Sequence, residues 1–339
     1  MRFLLDDQQR DFVRSLDALL AASDTPAVAR SWALGDTAPG HALRLRLADA
    51  GVFALAVPEE FDGVGLLPVE TALAFERLGR HAVPGPAVET VASAVLLAEL
   101  GDPDLGKSWL PRLASGQASA TLQLSHGSDA APFPFASAWA LDADSADVVL
   151  LVRGHELFLA TPSGAALASL DPTRRLFAVE PAGPAVASGP RVRVAAERAG
   201  RWAALATAAQ SLGVGRALLE QTVAYAGQRR QFGTAIGSFQ AVKHRLADAL
   251  LALEFAQPLV HAAALSLDPV DIAMAKVAAG EAGYTAARAA LQLHGAVGYT
   301  EELDLSLGLR KSRPLRDAWG APAACRALVL AAGPTEVRA

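Results

Sequence analysis

Cysteine is nearly absent from this sequence of 339 residues: Cys325 stands alone, so no internal disulfide and no cysteine-built zinc cage can form. Lysine is scarce too, with four positions (107, 243, 276 and 311) against 26 arginines. Together with the richness in alanine, that bias points to a G+C-rich coding sequence rather than to a function. Charge of either sign is thin at 19%, with a net of -5 and a pI near 5.8. No basic run supplies the electrostatic footprint that nucleic acid or an anionic membrane surface requires, and both are excluded as partners. Long uncharged apolar runs are missing as well, since the stretch 203–215 falls short of the ~20 residues a membrane-crossing helix needs. Met1-Arg2-Phe3 leads into Asp6 and Asp7 rather than into a signal peptide's apolar core, so a cytoplasmic protein is the expectation.

What is present in quantity is apolar material, 52% of the chain, enough for a large core spread over two or three domains. The most informative stretch lies at 213–248. Val214, Leu218, Leu219, Val223 and Tyr225 recur at helical spacing, and Arg229-Arg230-Gln231-Phe232-Gly233 then forms a basic, aromatic turn. Phe239-Gln240-Ala241-Val242 opens a second helix after the breaks at Gly233 and Gly237. A guanidinium there has a planar fork suited to two phosphate oxygens, and the neighbouring Phe offers a flat face to a ring. A solvated arginine pair at a helix end, favoured by the helix dipole, accounts for the same residues.

RxQFG, then FQAV, a long helical region, and Gln292-Leu293-His294-Gly295-Ala296-Val297-Gly298-Tyr299-Thr300 together resemble the carboxy-terminal domain of the flavin-dependent acyl-CoA dehydrogenases. Val57-Pro58-Glu59-Glu60-Phe61-Asp62-Gly63-Val64-Gly65, followed by Phe75-Glu76-Arg77-Leu78-Gly79-Arg80, is similar to that family's amino-terminal signatures, so the resemblance covers most of the chain. It implies a mainly α fold with a small β middle domain: an N-terminal helical domain (1–117), a reduced β-domain (118–195) and a C-terminal four-helix bundle (196–339).

The local signals agree with that layout. Periodicity predicts helices over 8–22, 41–50, 68–80, 89–100 and 105–113. Asp6, Asp24 and Asp102 stand where helix starts want an acceptor, and Gly51 and Gly101 where helix ends want a permissive residue. Short β-rich runs follow at 121–124, 138–141, 148–152, 156–160, 176–179 and 191–194. Helices return at 202–226, 239–267, 269–293 and 303–330, with Pro269 after Asp268 as a fitting start and Pro314 and Pro322 interrupting the last.

In the β-domain the family's T-E-P-x-x-G-S-D segment survives only as Gly127-Ser128-Asp129, with Leu122, Gln123 and Leu124 in place of Thr, Glu and Pro. Its G-x-K-x-[FW]-I-[TS] segment is absent. The interval from Asp129 to Ala146-Asp147-Val148-Val149-Leu150 is some two dozen residues short, as though one wall of the flavin site were deleted.

The resemblance also says what chemistry to look for. A carboxylate must take the Cα proton of the thioester while a hydride leaves Cβ for flavin N5. In the family that base is usually the Glu of YEG, and the ungapped count from Gln292 to Arg326 places Ala318-Trp319-Gly320 there. The alternative base position, on the first helix of the bundle, falls on Ala203. Neither Trp319 nor Ala203 can act as a base, and no catalytic residue is assigned. Glu197 and Glu220, the nearest acids in sequence, read as helix surface. The seven histidines, at 41, 81, 126, 155, 244, 261 and 294, show no telling spacing to an acid or nucleophile. Ala296 replaces the second Gly of the family's pair, where its methyl would crowd a close backbone approach.

Retained are Arg229, Gln231, Phe232, Gln240, Gln292 and Gly295, which in the family reach across a subunit interface to the pyrophosphate and adenine side of a neighbour's FAD. The pattern resembles the short, base-lacking subunit of actinobacterial heteromeric acyl-CoA dehydrogenases, many of which act on steroid-CoA thioesters. The implied partners are a catalytic subunit carrying the Glu base, in a heterotetramer sharing FAD, an acyl-CoA substrate, and electron-transfer flavoprotein as acceptor. A self-sufficient flavoenzyme of CoA- or carrier-bound acyl groups with an unplaced base, and a non-enzymatic scaffold, remain as alternatives.

Overall fold

Side-chain caps set the helix starts of the N-terminal domain. In the computed structural model, which describes residues 4–125 and 133–333, Asp6 and Gln9 form a reciprocal capping box at the head of α1 (Asp7–Ala21). Asp24 caps α2 (Thr25–Ala33), and Asp102 caps α6 (Pro103–Ala114) through the amides of Asp104 and Leu105, both at 3.0 Å. Between them run α3 (Ala38–Asp49), a two-rung ribbon of β1 (Ala56–Val57) with β2 (Gly65–Leu66), α4 (Pro68–Arg80) and α5 (Ala87–Leu100). Gly101 closes α5 in the left-handed conformation, as its position in sequence implies. The helix α2 was not expected. Its nine residues hold only two turns, and its burial of Val28, Ala29 and Trp32 is a tertiary effect that local periodicity hardly registers.

The middle domain is a six-stranded mixed sheet. β3 (Ala120–Ser125) runs parallel to β5 (Val148–Arg153), and β6 (Glu156–Leu167) pairs antiparallel with β5 and with β7 (Leu176–Pro181). β4 (Ala140–Leu141) lies beside β7, and β8 (Ala187–Ser188) beside β6. Gly127-Ser128-Asp129 lies outside the described residues.

One strand expectation is corrected. Residues 191–194 are helical, inside α7 (Pro190–Gln228). The alternation Arg-Val-Arg-Val looks like a strand, but Pro190 pre-sets a helix start, and Val192, Ala195, Ala196 and Ala199 are buried at helical intervals. The expected domain division at 195/196 therefore falls inside a continuous helix.

α7, α8 (Gln240–Ser266), α9 (Pro269–His294) and the broken pair α10 (Leu305–Asp317) with α11 (Pro322–Ala332) make the bundle. α7 also packs on α4 and α5, so closely that a Cβ at Gly213 would overlap the Glu76 carbonyl oxygen. Among the described residues only α8 is long and apolar enough to cross a membrane by composition, and a third of that window is buried against the bundle. The rest of its apolar face, including Leu251 and the 73%-exposed Phe255, is uncovered.

Candidate functional site

At one end of the bundle α7 stops where the backbone of Arg229 turns extended, its N–H still donating to the Tyr225 carbonyl at 2.8 Å. Arg230-Gln231 (β9) and Thr234-Ala235 (β10) then form a hairpin in which Gln231 faces Thr234. Its two turn residues, Phe232 (φ 54°) and Gly233 (φ 81°), both have positive φ, which is the signature of a type I′ turn. Gly accepts that backbone freely, whereas Phe is held there against its preference, at a cost of roughly 1–2 kcal/mol. Phe232 is also 90% exposed, touching Phe239 edge-on at 6.2 Å. A strained backbone thus presents a large apolar ring to solvent. Arg229, Arg230, Gln231 and Gln240 are exposed around it, and neither guanidinium has a carboxylate partner among the described residues.

The second motif converges on the same end. Tyr225, one turn before Arg229, stacks on His294 with ring centroids 4.2 Å apart and donates to its carbonyl at 3.4 Å. His294 is itself buried, its Nδ1 2.9 Å from the Ala290 carbonyl, so it packs α9 against α7. Gln292 is exposed, and Gly295 ends α9 at φ 64°, ψ -137°, a conformation reserved for glycine. All six residues named for the cofactor thus lie on the surface, with Arg229 at the end of α7, Gln231 and Phe232 on the hairpin, Gln240 at the start of α8, and Gln292 and Gly295 on the adjoining end of α9. A guanidinium without a carboxylate partner among the described residues, three side-chain amides and a protruding aromatic ring suit a diphosphate bearing a flat ring, so the donor set fits FAD.

The corner between α10 and α11 is opposite in character. Trp319 is 2% exposed, with φ 50°, and its indole Nε1 donates to Glu89 Oε1 at 3.0 Å, joining the bundle to α5 of the N-terminal domain. Glu89 is equally buried, and its second oxygen has no protein partner. Below the corner, the ammonium of the buried Lys276 donates to the carbonyls of Leu315 and Arg316 at 2.9 and 2.8 Å, the C-terminal end of α10. That dipole end favours a cation, yet burial still pulls Lys276 down to about 8, against the influence of Cys325 and Asp317. Burial raises the Cys325 thiol in turn. Gly320, at φ 127°, lies between Cys325 and Phe135, where a side chain would be crowded and its backbone strained.

Beside this corner a cleft of about 720 Å³ separates the bundle from the middle domain, with Trp139, Leu170, Arg174 and Trp319 in its walls. Among the described residues no carboxylate in it is poised as a base: Asp317, the acid in its lining, pairs with Arg313 at 3.0 Å and lies near Arg316. Ala203 is sealed in the core. Glu197 binds Arg193 at 2.8 Å, and Glu220 forms a two-point pair with Arg80, so both are occupied on helix surfaces. The sequence reading missed Glu89 and Lys276. The signal available was a single ionisable residue inside each of two alanine- and valine-rich helical turns.

Comparison with known proteins agrees with the geometry. Residues 6–117 match the acyl-CoA dehydrogenase N-terminal domain and residues 193–332 the acyl-CoA dehydrogenase C-terminal domain. The chain is similar to acyl-CoA dehydrogenase IpdE2 of Mycobacterium tuberculosis, 33% identical over 313 residues, which cover 90% of this chain and 91% of that protein. Among solved structures it resembles the ChsE4-ChsE5 complex from Mycobacterium tuberculosis (TM-score 0.80, 25% identity, 99% of this chain and 100% of that one). It also shares the fold of PigA with FAD and proline (TM-score 0.83, 22% identity, 98% and 99%).

Proposed function

This chain belongs to the acyl-CoA dehydrogenase family, whose cofactor is FAD, and on that premise we propose that it is the non-catalytic subunit of a heteromeric acyl-CoA dehydrogenase. The assembly removes hydrogen from Cα and Cβ of an acyl-CoA thioester, with a bulky acyl group of the steroid class as the favoured substrate. The catalytic partner supplies the glutamate that takes the Cα proton. Bound flavin supplies the hydride acceptor, and electron-transfer flavoprotein is the expected next carrier.

The carrying observation is Trp319. At the position that the count along the family's motif assigns to the base, the chain holds an indole, which takes no proton near neutral pH, and its N–H is already committed to Glu89. This chain's part is to bind and orient. Arg229 offers its guanidinium to the pyrophosphate, Gln231, Gln240 and Gln292 offer amides, Gly295 admits close backbone approach, and Phe232 covers an apolar face. That all of these are exposed and none lines the cleft beside Trp319 supports a flavin held mainly by a neighbour. The uncovered apolar face of α8 supports a stable contact with that neighbour.

One observation favours the second reading, a self-sufficient enzyme: Glu89 lies directly behind Trp319 with one oxygen free. Glu89 does not line the cleft, however, whereas Trp319 does. The deciding experiment mixes the isolated chain with FAD, an acyl-CoA and an electron-accepting dye. No dye reduction is expected until the partner is added, and turnover is then abolished by replacing the partner's glutamate. Dye reduction by the isolated chain, lost in Glu89→Gln, establishes the second reading instead.

A further inference from the structure

The cleft beside Trp319 keeps one fixed charge that no carboxylate among the described residues neutralises. It belongs to Arg174, in the loop between β6 and β7. That loop is pinned on both sides. Before Arg174, the buried Asp171 pairs with Lys311 of α10 at 2.8 Å, and the Thr173 hydroxyl binds both partners. Burial pushes the Asp171 carboxyl up, but the Lys311 charge and the Thr173 hydrogen bonds outweigh it and hold the group below its ordinary range. After Arg174, Arg175 pairs with the fully buried Asp142 at 3.2 Å and with Asp144 at 2.8 Å. The Arg174 amide also donates to the Asp171 carbonyl at 3.0 Å. Its backbone is therefore set before any ligand arrives, and preorganisation of that kind lowers the cost of binding.

The Arg174 side chain is half-buried and has no carboxylate partner among the described residues. Of the other charges in the cleft, Arg313 and Asp317 satisfy each other, so the balance is positive. The walls around that charge are largely apolar, with Trp139 and Leu170 part-exposed and the Trp319 indole at the inner end. A volume of about 720 Å³ lies in the range that small-molecule pockets occupy.

We propose that this cleft binds an amphipathic monocarboxylic acid, its carboxylate paired with the Arg174 guanidinium and its apolar body lying between Trp139, Leu170 and Trp319. A single planar guanidinium matches one carboxylate in two-point geometry, whereas a phosphate calls for more donors than the cleft provides. The inference rests on the non-catalytic reading in one respect: with no base beside it the acid is held and released unchanged, so the cleft acts as an effector site within the assembly.

The test titrates the isolated chain with cholate, a rigid ring acid, and separately with decanoate, a flexible one, each below its micelle range. Tryptophan fluorescence and calorimetry are the readouts, and decanol is the uncharged control. The expected result is saturable binding of at least one acid, weakened roughly tenfold in Arg174→Gln and less than that in Arg174→Lys, with decanol indifferent to both changes. A preference for cholate identifies a ring body, and a preference for decanoate an extended chain. Because the Arg174 side chain has no ion-pair partner among the described residues, the variants should melt as the parent does. Equal binding of the acids to parent and Arg174→Gln, or no saturable binding of either, overturns the proposal. Turnover of octanoyl-CoA by the isolated chain with FAD would sink the non-catalytic reading while leaving acid binding standing, so the two failures are told apart.

Discussion

The two ends of the C-terminal bundle treat their polar groups in opposite ways. At the hairpin, Arg229, Arg230 and Gln231 are exposed without acidic partners among the described residues, and Phe232 carries backbone strain with its ring outside the protein. At the α10–α11 corner every group turns inward: Trp319 to Glu89, Lys276 to two carbonyls, Gly320 against Cys325. Unspent hydrogen-bonding capacity and uncompensated strain persist where something outside the chain completes them. The corner shows the reverse: its donors are spent on the protein's own carboxylate and carbonyl groups.

The comparison breaks most visibly at the closed end. Trp319→Ala removes the largest side chain of the corner and leaves both Glu89 oxygens unpaired, so it should cost about 3–5 kcal/mol in chemical denaturation. Trp319→Glu should be comparably destabilising, since it sets a second carboxylate against Glu89, and it should yield no dehydrogenase activity without a partner. A base alone lacks the preorganised flavin and thioester geometry on which proton and hydride transfer depend. Appreciable turnover in that variant would mean the corner is an active site lacking only its acid.

The middle domain also predicts a pH signature. Burial pushes Asp142 up to about 7 despite its pairing with Arg175. A carboxyl whose folded pKa is raised contributes stability below its unfolded pKa, near 3.8, and loses it as pH rises through 7. The advantage of the parent over Asp142→Asn should therefore shrink by roughly 2–3 kcal/mol between pH 5 and pH 8, read from denaturation midpoints at each pH. An advantage independent of pH would place Asp142 as a carboxylate throughout, governed by Arg175.

At the open end the effect moves from folding to flavin. Arg229→Ala should leave the melting temperature unchanged and weaken FAD binding in the assembled complex by roughly ten- to a hundredfold, about 1.5–3 kcal/mol for a lost charge-assisted contact. Arg230→Ala is the internal control. Loss of flavin in Arg230→Ala alone would shift the motif's register by one residue, and loss in neither would end the cross-subunit role. The smallest effect is expected from Phe232→Gly, which relieves the positive φ and should raise stability by up to about 1 kcal/mol while reducing flavin content. A variant that is stabilised and retains all its flavin would make Phe232 an accident of the turn.

Much of this was legible in the sequence because the open end is local. RRQFG and its neighbours act through residues close in the chain, and helix caps such as Asp6, Asp102 and Asp268 act within one turn. The middle domain and bundle followed the resemblance. What escaped was decided at long range. Glu89 meets Trp319 across 230 residues and Lys276 meets Leu315 across 39, and nothing at either position announces its partner. The segment 191–194 misled because two-residue alternation is visible locally, whereas the burial that makes it a helix comes from α7 packing across other elements.

The central claim, that this chain completes a neighbour's flavin site and has closed its own, is tested most directly by counting FAD in the purified complex with its catalytic partner. Flavin absorbance after release by denaturation, divided by the amount of each subunit, gives the ratio. The account predicts about one FAD for each pair of unlike subunits and essentially none on this chain alone. Two FAD per pair, or a yellow, stoichiometrically loaded homo-oligomer of this chain, would contradict it.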